Sequence, residues 1–273
     1  MDLDTALRRL AREPSAPFDL AELALLLARD EYPNLDVEAH LSELAGMARE
    51  ARSYLRGRIQ ERVAGLCRYL FHDMGFRGNV EHYYDARNSY LNQVLERRTG
   101  IPITLSAVAM TVGQRAGLEV VGVGLPGHFI VKAVDHGEEV LFDPFHGGRQ
   151  LLPEEAGRLV ERLTGLPFPV TPQRLRPTPL AGIVQRLLNN LRAIYLGQRD
   201  FPRALRVLER LQLLAPHDSS LQRDLGLSWL ALGHAGRALG PLAAYLHACP
   251  QADDATAIRQ AWRQAQSEVA RCN

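Results

Sequence analysis

His128 and Asp143 are the residues of this chain whose types and spacing point most directly to chemistry. Each borders a run with strand character, residues 129–134 and 139–142, and Asp135-His136-Gly137 between them is a tight-turn signal. If the turn centres on Asp135 and His136, His128 stands directly opposite Asp143 with both side chains on one face of the sheet. A carboxylate held there fixes the tautomer of an imidazole and stabilises its protonated form, which equips the histidine as a general base. What the pair lacks is a nucleophile. The place to look is the N-terminus of a helix packed on the sheet, where the helix dipole activates a thiol.

One helix start qualifies. Gly100-Ile-Pro-Ile-Thr-Leu-Ser106 leads into a helical run that Gly117 is suited to end, and Pro102 fits the first turn because its missing N–H costs nothing there. Thr104 and Ser106 lie on the first turns of that helix, and Ser89 lies near another helix start. Hydroxyls become nucleophiles when a histidine activates them, but small residues at such positions also simply pack. Asn88 or Ser89 can cap a short helix carrying Leu91, Val94 and Leu95. Asn88 and Asn92 then share a helix face, either lining a groove beside His128 or capping and tying a loop. Phe129 and Phe145 flank the pair as candidate binding residues, and Arg97 or Arg98 could hold Asp143 in an ion pair. His128, Asp143 and His146 have donor types that suit zinc. Their spacing shows no HExxH-like pattern, so the reading assigns no metal and no cofactor.

The elements that must position these residues change character along the chain. The first hundred residues read as helices. Asp19 and Glu22 have capping-box spacing ahead of an apolar run to Ala28, and Tyr32-Pro33-Asn34 breaks it. Asn34 or Asp36 can cap a second helix through Leu41, Leu44 and Met47. A third, from about Ile59 to Phe71, has helical periodicity at positions 59, 63, 66, 67 and 70, and Gly75, Gly78 and Asn79 then make a loop. After the helix that starts at Pro102 come strand-like runs at 118–123, 129–134 and 139–142. Helices followed by antiparallel strands argue for an α+β core.

Prolines 167, 169, 172, 177 and 179 mark a stiff linker. Beyond it the chain repeats. Tyr195 and Trp229, Ala204 and Ala238, Leu208 and Leu242, and Pro216 and Pro250 are each 34 residues apart. That period and that aromatic, alanine, proline layout belong to tetratricopeptide repeats, stacked pairs of antiparallel helices. Two repeats are clear, with 255–270 as a capping helix. The expected organisation is a core over 1–170, a linker over 171–182 and an all-α repeat module over 183–273.

Composition sets the outer bounds. With 46% hydrophobic residues, the 273-residue chain can bury a full core. Three cysteines, Cys67, Cys249 and Cys272, form neither a disulfide framework nor paired zinc-binding spacings. The start MDLDTALRRL has no apolar signal segment, and the apolar run from Ala21 to Ala28 is too short for a membrane span. A soluble protein of a reducing compartment, the cytoplasm, is expected. Lys132 is the only lysine, and 13 arginines face 7 acidic residues in 174–273. Those arginines are too scattered for a nucleic-acid footprint.

Taken together the motifs resemble the transglutaminase-like superfamily, in which a cysteine at a helix start is followed by histidine and aspartate on successive strands. More narrowly, they are similar to the bacterial SirB-type family, a transglutaminase-like core followed by tetratricopeptide repeats. The residues that carry the match are Glu31-Tyr-Pro-Asn-Leu-Asp36, Asn88-Ser-Tyr-Leu-Asn92, Arg98-Thr-Gly-Ile-Pro-Ile-Thr-Leu-Ser106, Pro126-Gly-His-Phe129 and Asp143-Pro-Phe-His-Gly-Gly148. The resemblance implies that His128 and Asp143 are the histidine and aspartate of the triad. Aligning Gly100 and Gly117 with the glycines around the family's nucleophilic helix puts Pro102 where the cysteine belongs. The expectation is a protein- or peptide-binding protein with a core lacking its thiol, and neither nucleic-acid nor membrane partners. The rivals are a hydrolase or acyl-transfer enzyme using His128 and Asp143 with a hydroxyl or water, and a regulator acting through its repeats alone.

Overall fold

The computed structural model describes residues 2–272, which divide into two compact units. Residues 2–3 and 14–187 form the first; residues 4–13 join the chain from 188 onward in the second. The N-terminal helix α1 (Leu3–Arg12) therefore clusters with the repeats, although the sequence reading counts it with the core. Its Ala6, Leu7 and Leu10 are fully buried, and Asp4 accepts a 2.9 Å hydrogen bond from Arg210.

The first unit begins with α2 (Leu20–Ala28), α3 (Val37–Ala51) and α4 (Ile59–Cys67). Asp19 caps α2 through the amides of Ala21 and Glu22, and Asp36, rather than Asn34, caps α3. The third helix continues past Cys67 only as a wider π-turn over Arg68–Asp73. Then β1 (Arg77–Gly78) pairs in parallel with β2 (Thr99–Gly100) on either side of α5 (Leu91–Arg97). Tyr90 is the residue before α5, so Asn88 and Ser89 do not cap it; they lie in a preceding 3-10 turn capped by Asp85. Asn88 and Asn92 consequently belong to different elements and share no helix face.

The central element is α6 (Pro102–Ala116). Every residue from Pro102 to Gly113 is buried, as its apolar and small side chains allow, and it packs between α3 and the sheet. Gly117 ends it in the left-handed conformation. The sheet is antiparallel in the order β3 (Glu119–Leu125), β4 (His128–Asp135), β5 (Glu138–Asp143), β6 (Arg149–Leu151). One face packs on α6. The other carries Val123, Leu125, Ile130 and Leu141 against Ala156 and Val160 of α7 (Pro153–Thr164). The proline-rich segment is docked, not free. Leu175 joins that apolar cluster, and Thr178 bonds to β3 through Gly122 O and Gly124 N, each at 2.8 Å.

The remaining helices are α8 (Leu180–Gly197), α9 (Phe201–Leu214), α10 (Ser219–Ala231), α11 (Ala235–Ala248) and α12 (Ala255–Cys272). The starts of α9 and α11, at 201 and 235, repeat the 34-residue period. Ala204 and Ala238 occupy equivalent, fully buried positions, as do Leu208 and Leu242. Gly226 of α10 lies so close to Leu242 that a Cβ there would meet its Cγ at 2.5 Å. Because small residues set this spacing, Ala204→Leu is expected to overpack the module and destabilise it by about 1–3 kcal/mol. A thermal unfolding scan checks this, and an unchanged midpoint would count against the repeat register.

Candidate functional site

Hairpin geometry decides how His128 meets Asp143. The turn centres on His136 and Gly137, with φ of 47° and 85°, and not on Asp135 and His136. Both central residues of this two-residue turn are left-handed, a conformation that glycine accepts without strain. The resulting ladder pairs Val131 with Phe142 and Asp135 with Glu138. His128 and Asp143 are thus diagonal neighbours on one face rather than directly opposite. The contact survives the shift, since His128 Nε2 donates to Asp143 Oδ2 at 2.8 Å. No described residue bonds Nδ1.

Asp143 does more than orient one ring. It ends β5 and caps a 3-10 turn, Pro144–His146, where its Oδ1 accepts the amides of Phe145 (3.0 Å) and His146 (3.4 Å). Its Oδ2 also accepts from His146 Nδ1 at 2.7 Å. The carboxylate is 1% exposed. Burial pushes its pKa up, but the bonds and charge of His128 and then His146 outweigh that and hold it below the ordinary carboxylate value. Donor atoms of His128, Asp143 and His146 all lie within 4.8 Å of one another.

These three line a cleft of about 860 Å³ in the first unit. Pro102, at the first turn of α6, is on its wall, as are Phe145, Tyr83, Tyr84 and the α7 residue Leu163. Phe145 meets the His128 ring edge-on at 6.0 Å between centroids. Tyr84 and Leu163 are 73% and 53% exposed, so large apolar side chains stand open at the cleft beside the charged Arg149, Arg158 and Arg162. The sequence reading missed this wall. Pro153 at a first turn, Glu154 and Glu155 after it and Gly165 beyond the end are helix signals that would have located α7.

Other candidates are committed elsewhere. Thr104 Oγ1 accepts from Ile101 N and donates to Asn88 O at 2.8 Å, sealing the start of α6. Ser106 is fully buried with no partner for its hydroxyl, and neither residue lines the cleft. Asn88 ties down the preceding loop through the carbonyls of His82 and Tyr83, while Asn92 is buried in α5. Arg97 bonds Asn88 and Arg98 bonds Glu43, so neither holds Asp143. Phe129 faces away from the cleft, 1% exposed, with the Arg186 guanidinium 5.4 Å over its ring.

Arg186, which the sequence reading did not single out, reaches from α8 to the turn between β3 and β4. Its Nη1 donates to His128 O at 2.8 Å and its Nη2 to Leu125 O at 2.6 Å. The guanidinium fastens the main chain that carries the histidine. Cys67 is walled off on another side, where a Cβ on Gly148 would come 2.5 Å from its Sγ. Burial pushes the Cys67 thiol up to about 12. Cys249 lies in the second unit against Ser219 Oγ at 3.1 Å, and the Cys272 side chain lies outside the described residues.

A buried antiparallel sheet with a central helix aimed at a His–Asp pair, followed by helix repeats, defines a transglutaminase-like core joined to tetratricopeptide repeats. Comparison agrees: residues 36–189 match the transglutaminase-like superfamily and residues 191–263 the tetratricopeptide repeat. A UPF0162 protein of Xylella fastidiosa is 38% identical over 260 residues, covering 92% of this chain and 91% of that protein. A UPF0162 protein of Pseudomonas aeruginosa is 32% identical over 211 residues, 76% of this chain and 75% of the relative. The chain belongs to this UPF0162, SirB-type family. Human F-box only protein 21 is 30% identical over 167 residues, which cover 58% of this chain and 25% of that protein. No solved structure matches.

Two outcomes test the site's supports. Iodoacetamide at neutral pH should leave Cys67 unmodified in the native protein and label it in denaturant, as read by peptide mass spectrometry; native labelling at a free-thiol rate would contradict its burial. Arg186→Ala should strand two carbonyls and lower stability by about 1–3 kcal/mol in urea unfolding, with Arg186→Lys recovering part of it.

Proposed function

We propose that this protein binds protein or peptide partners, with the core cleft as a recognition groove, and that the core carries out no thiol chemistry. The observation that supports this best is Pro102. It stands at the first turn of α6, on the wall of the cleft that His128 and Asp143 also line. A thiol at that helix start would be activated; a proline ring has no group to activate. The groove itself suits an extended chain, with the aromatic rings of Tyr83, Tyr84 and Phe145 along it and buried polar groups within it. The repeats supply a second surface of the kind that takes helices or tails. On α10, Leu227 is a large apolar residue left exposed. The cytoplasm is the compartment we propose, consistent with free thiols at Cys67 and Cys249. No described helix is long and apolar enough to cross a membrane.

The test is a random-peptide binding screen on the full chain. Leu163→Asp on the cleft rim and Leu227→Asp on the repeats should each weaken their own class of ligand about tenfold or more without altering the melting temperature. Binding insensitive to both would refute the proposal, as would multiple-turnover amidase activity that His128→Ala abolishes. A related outcome concerns the missing nucleophile. Pro102→Cys is expected to gain an alkylatable thiol yet show no efficient turnover of peptide amides, because oxyanion donors must also be in place. Mass spectrometry and a progress curve on one sample would show both.

A further inference from the structure

We infer that His128, Asp143 and His146 form a binding site for a divalent transition metal, zinc by its donor chemistry, with a coordination position left open to the cleft. This goes beyond the binding function proposed above and does not depend on it. A carboxylate that merely orients a general base needs one imidazole. Here two rings, one from β4 and one from the turn after β5, converge on the same oxygen, at 2.8 and 2.7 Å. The rings lie 5.7 Å apart between centroids, tilted by 36°.

Two imidazole nitrogens and one carboxylate oxygen are a known catalytic-type zinc set, which leaves a fourth position for water or a ligand group. Donor atoms in a tetrahedral zinc site stand about 3.3 Å apart. The present set, all within 4.8 Å, reaches that by Oδ2 backing off a few tenths of an ångström and the half-exposed His146 ring swinging inward. Oδ1 is already engaged by the amides of Phe145 and His146, which holds the carboxylate for one-oxygen ligation through Oδ2. Arg186 fixes the main chain at His128. Protons balance without loss: each neutral ring carries one, and moving it through solvent to the far nitrogen turns the lone pair of Nε2 or Nδ1 toward the ion. Magnesium, which prefers oxygen donors and retains its waters, does not suit this set.

The experiment is a zinc titration of chelator-stripped full-length protein by competition with a fluorescent chelator, paired with thermal melts. The expected result is one zinc per chain and a raised melting temperature. His146→Ala should lower zinc affinity on the order of 100-fold. Because His146 also donates to the buried Asp143 carboxylate, the metal-free variant is expected to melt below the wild type, and its zinc affinity is measured well below that melting temperature, so that a loss of binding is not a loss of fold. Magnesium should produce neither effect. Absence of stoichiometric zinc, or the same affinity in His146→Ala, would overturn the inference, whereas peptide binding measured with and without chelator reports on the groove separately.

Discussion

The interior of the core is organised around one desolvated carboxylate. Asp143 ends a strand, caps the turn that follows and receives two imidazoles, so its oxygens meet four donors from three residues. A buried carboxylate persists as an anion only when its partners offset the lost hydration. Those partners are local in sequence on one side, Phe145 and His146, and come from the neighbouring strand on the other. Strand register, turn geometry and ring orientation are therefore coupled. A change in any one leaves a charge without its donors, which costs more than the loss of a surface ion pair.

The second constraint is the burial of α6. A helix buried from Pro102 to Gly113 sits in the middle of its unit, and its first turn lines the cleft beside the sheet. Thr104 closes that turn through its hydroxyl, and Pro102 completes it without leaving a main-chain donor unpaired. The proline ring that suits this helix start carries no thiol, and the Thr104 hydroxyl beside it is engaged in closing the turn.

Much of this was readable before any coordinates. The 34-residue period located the repeats because each position recurs in an equivalent packing environment, and Gly117 and Pro102 bounded α6 through backbone rules that tertiary contacts do not override. The proximity of His128 and Asp143 followed from strand alternation, which tolerates a two-residue register error because the side-chain period is also two. Other features were hidden. Asn88 lies in a 3-10 turn rather than on a helix face because Asp85 caps first, and local spacing does not rank competing caps. Arg186 is 58 residues from the histidine it supports, and a long-range bond to a carbonyl leaves no pattern in the chain. The convergence of His146 with His128 needed the turn after β5, whose shape depends on Asp143 acting as its own cap.

Helix α8 has a practical consequence for dissecting the molecule. Its residues up to Leu187 belong to the first unit and those from Leu188 to the second. The proline-rich stretch at 167–179 looks like the natural place to cut, but Arg186 lies beyond it. A core expressed on its own and ended there would carry every residue of the His–Asp–His cluster and lose the guanidinium that anchors the backbone of one of them. The border between modules, as a protein engineer would draw it, runs just past the second turn of α8 and not through the prolines.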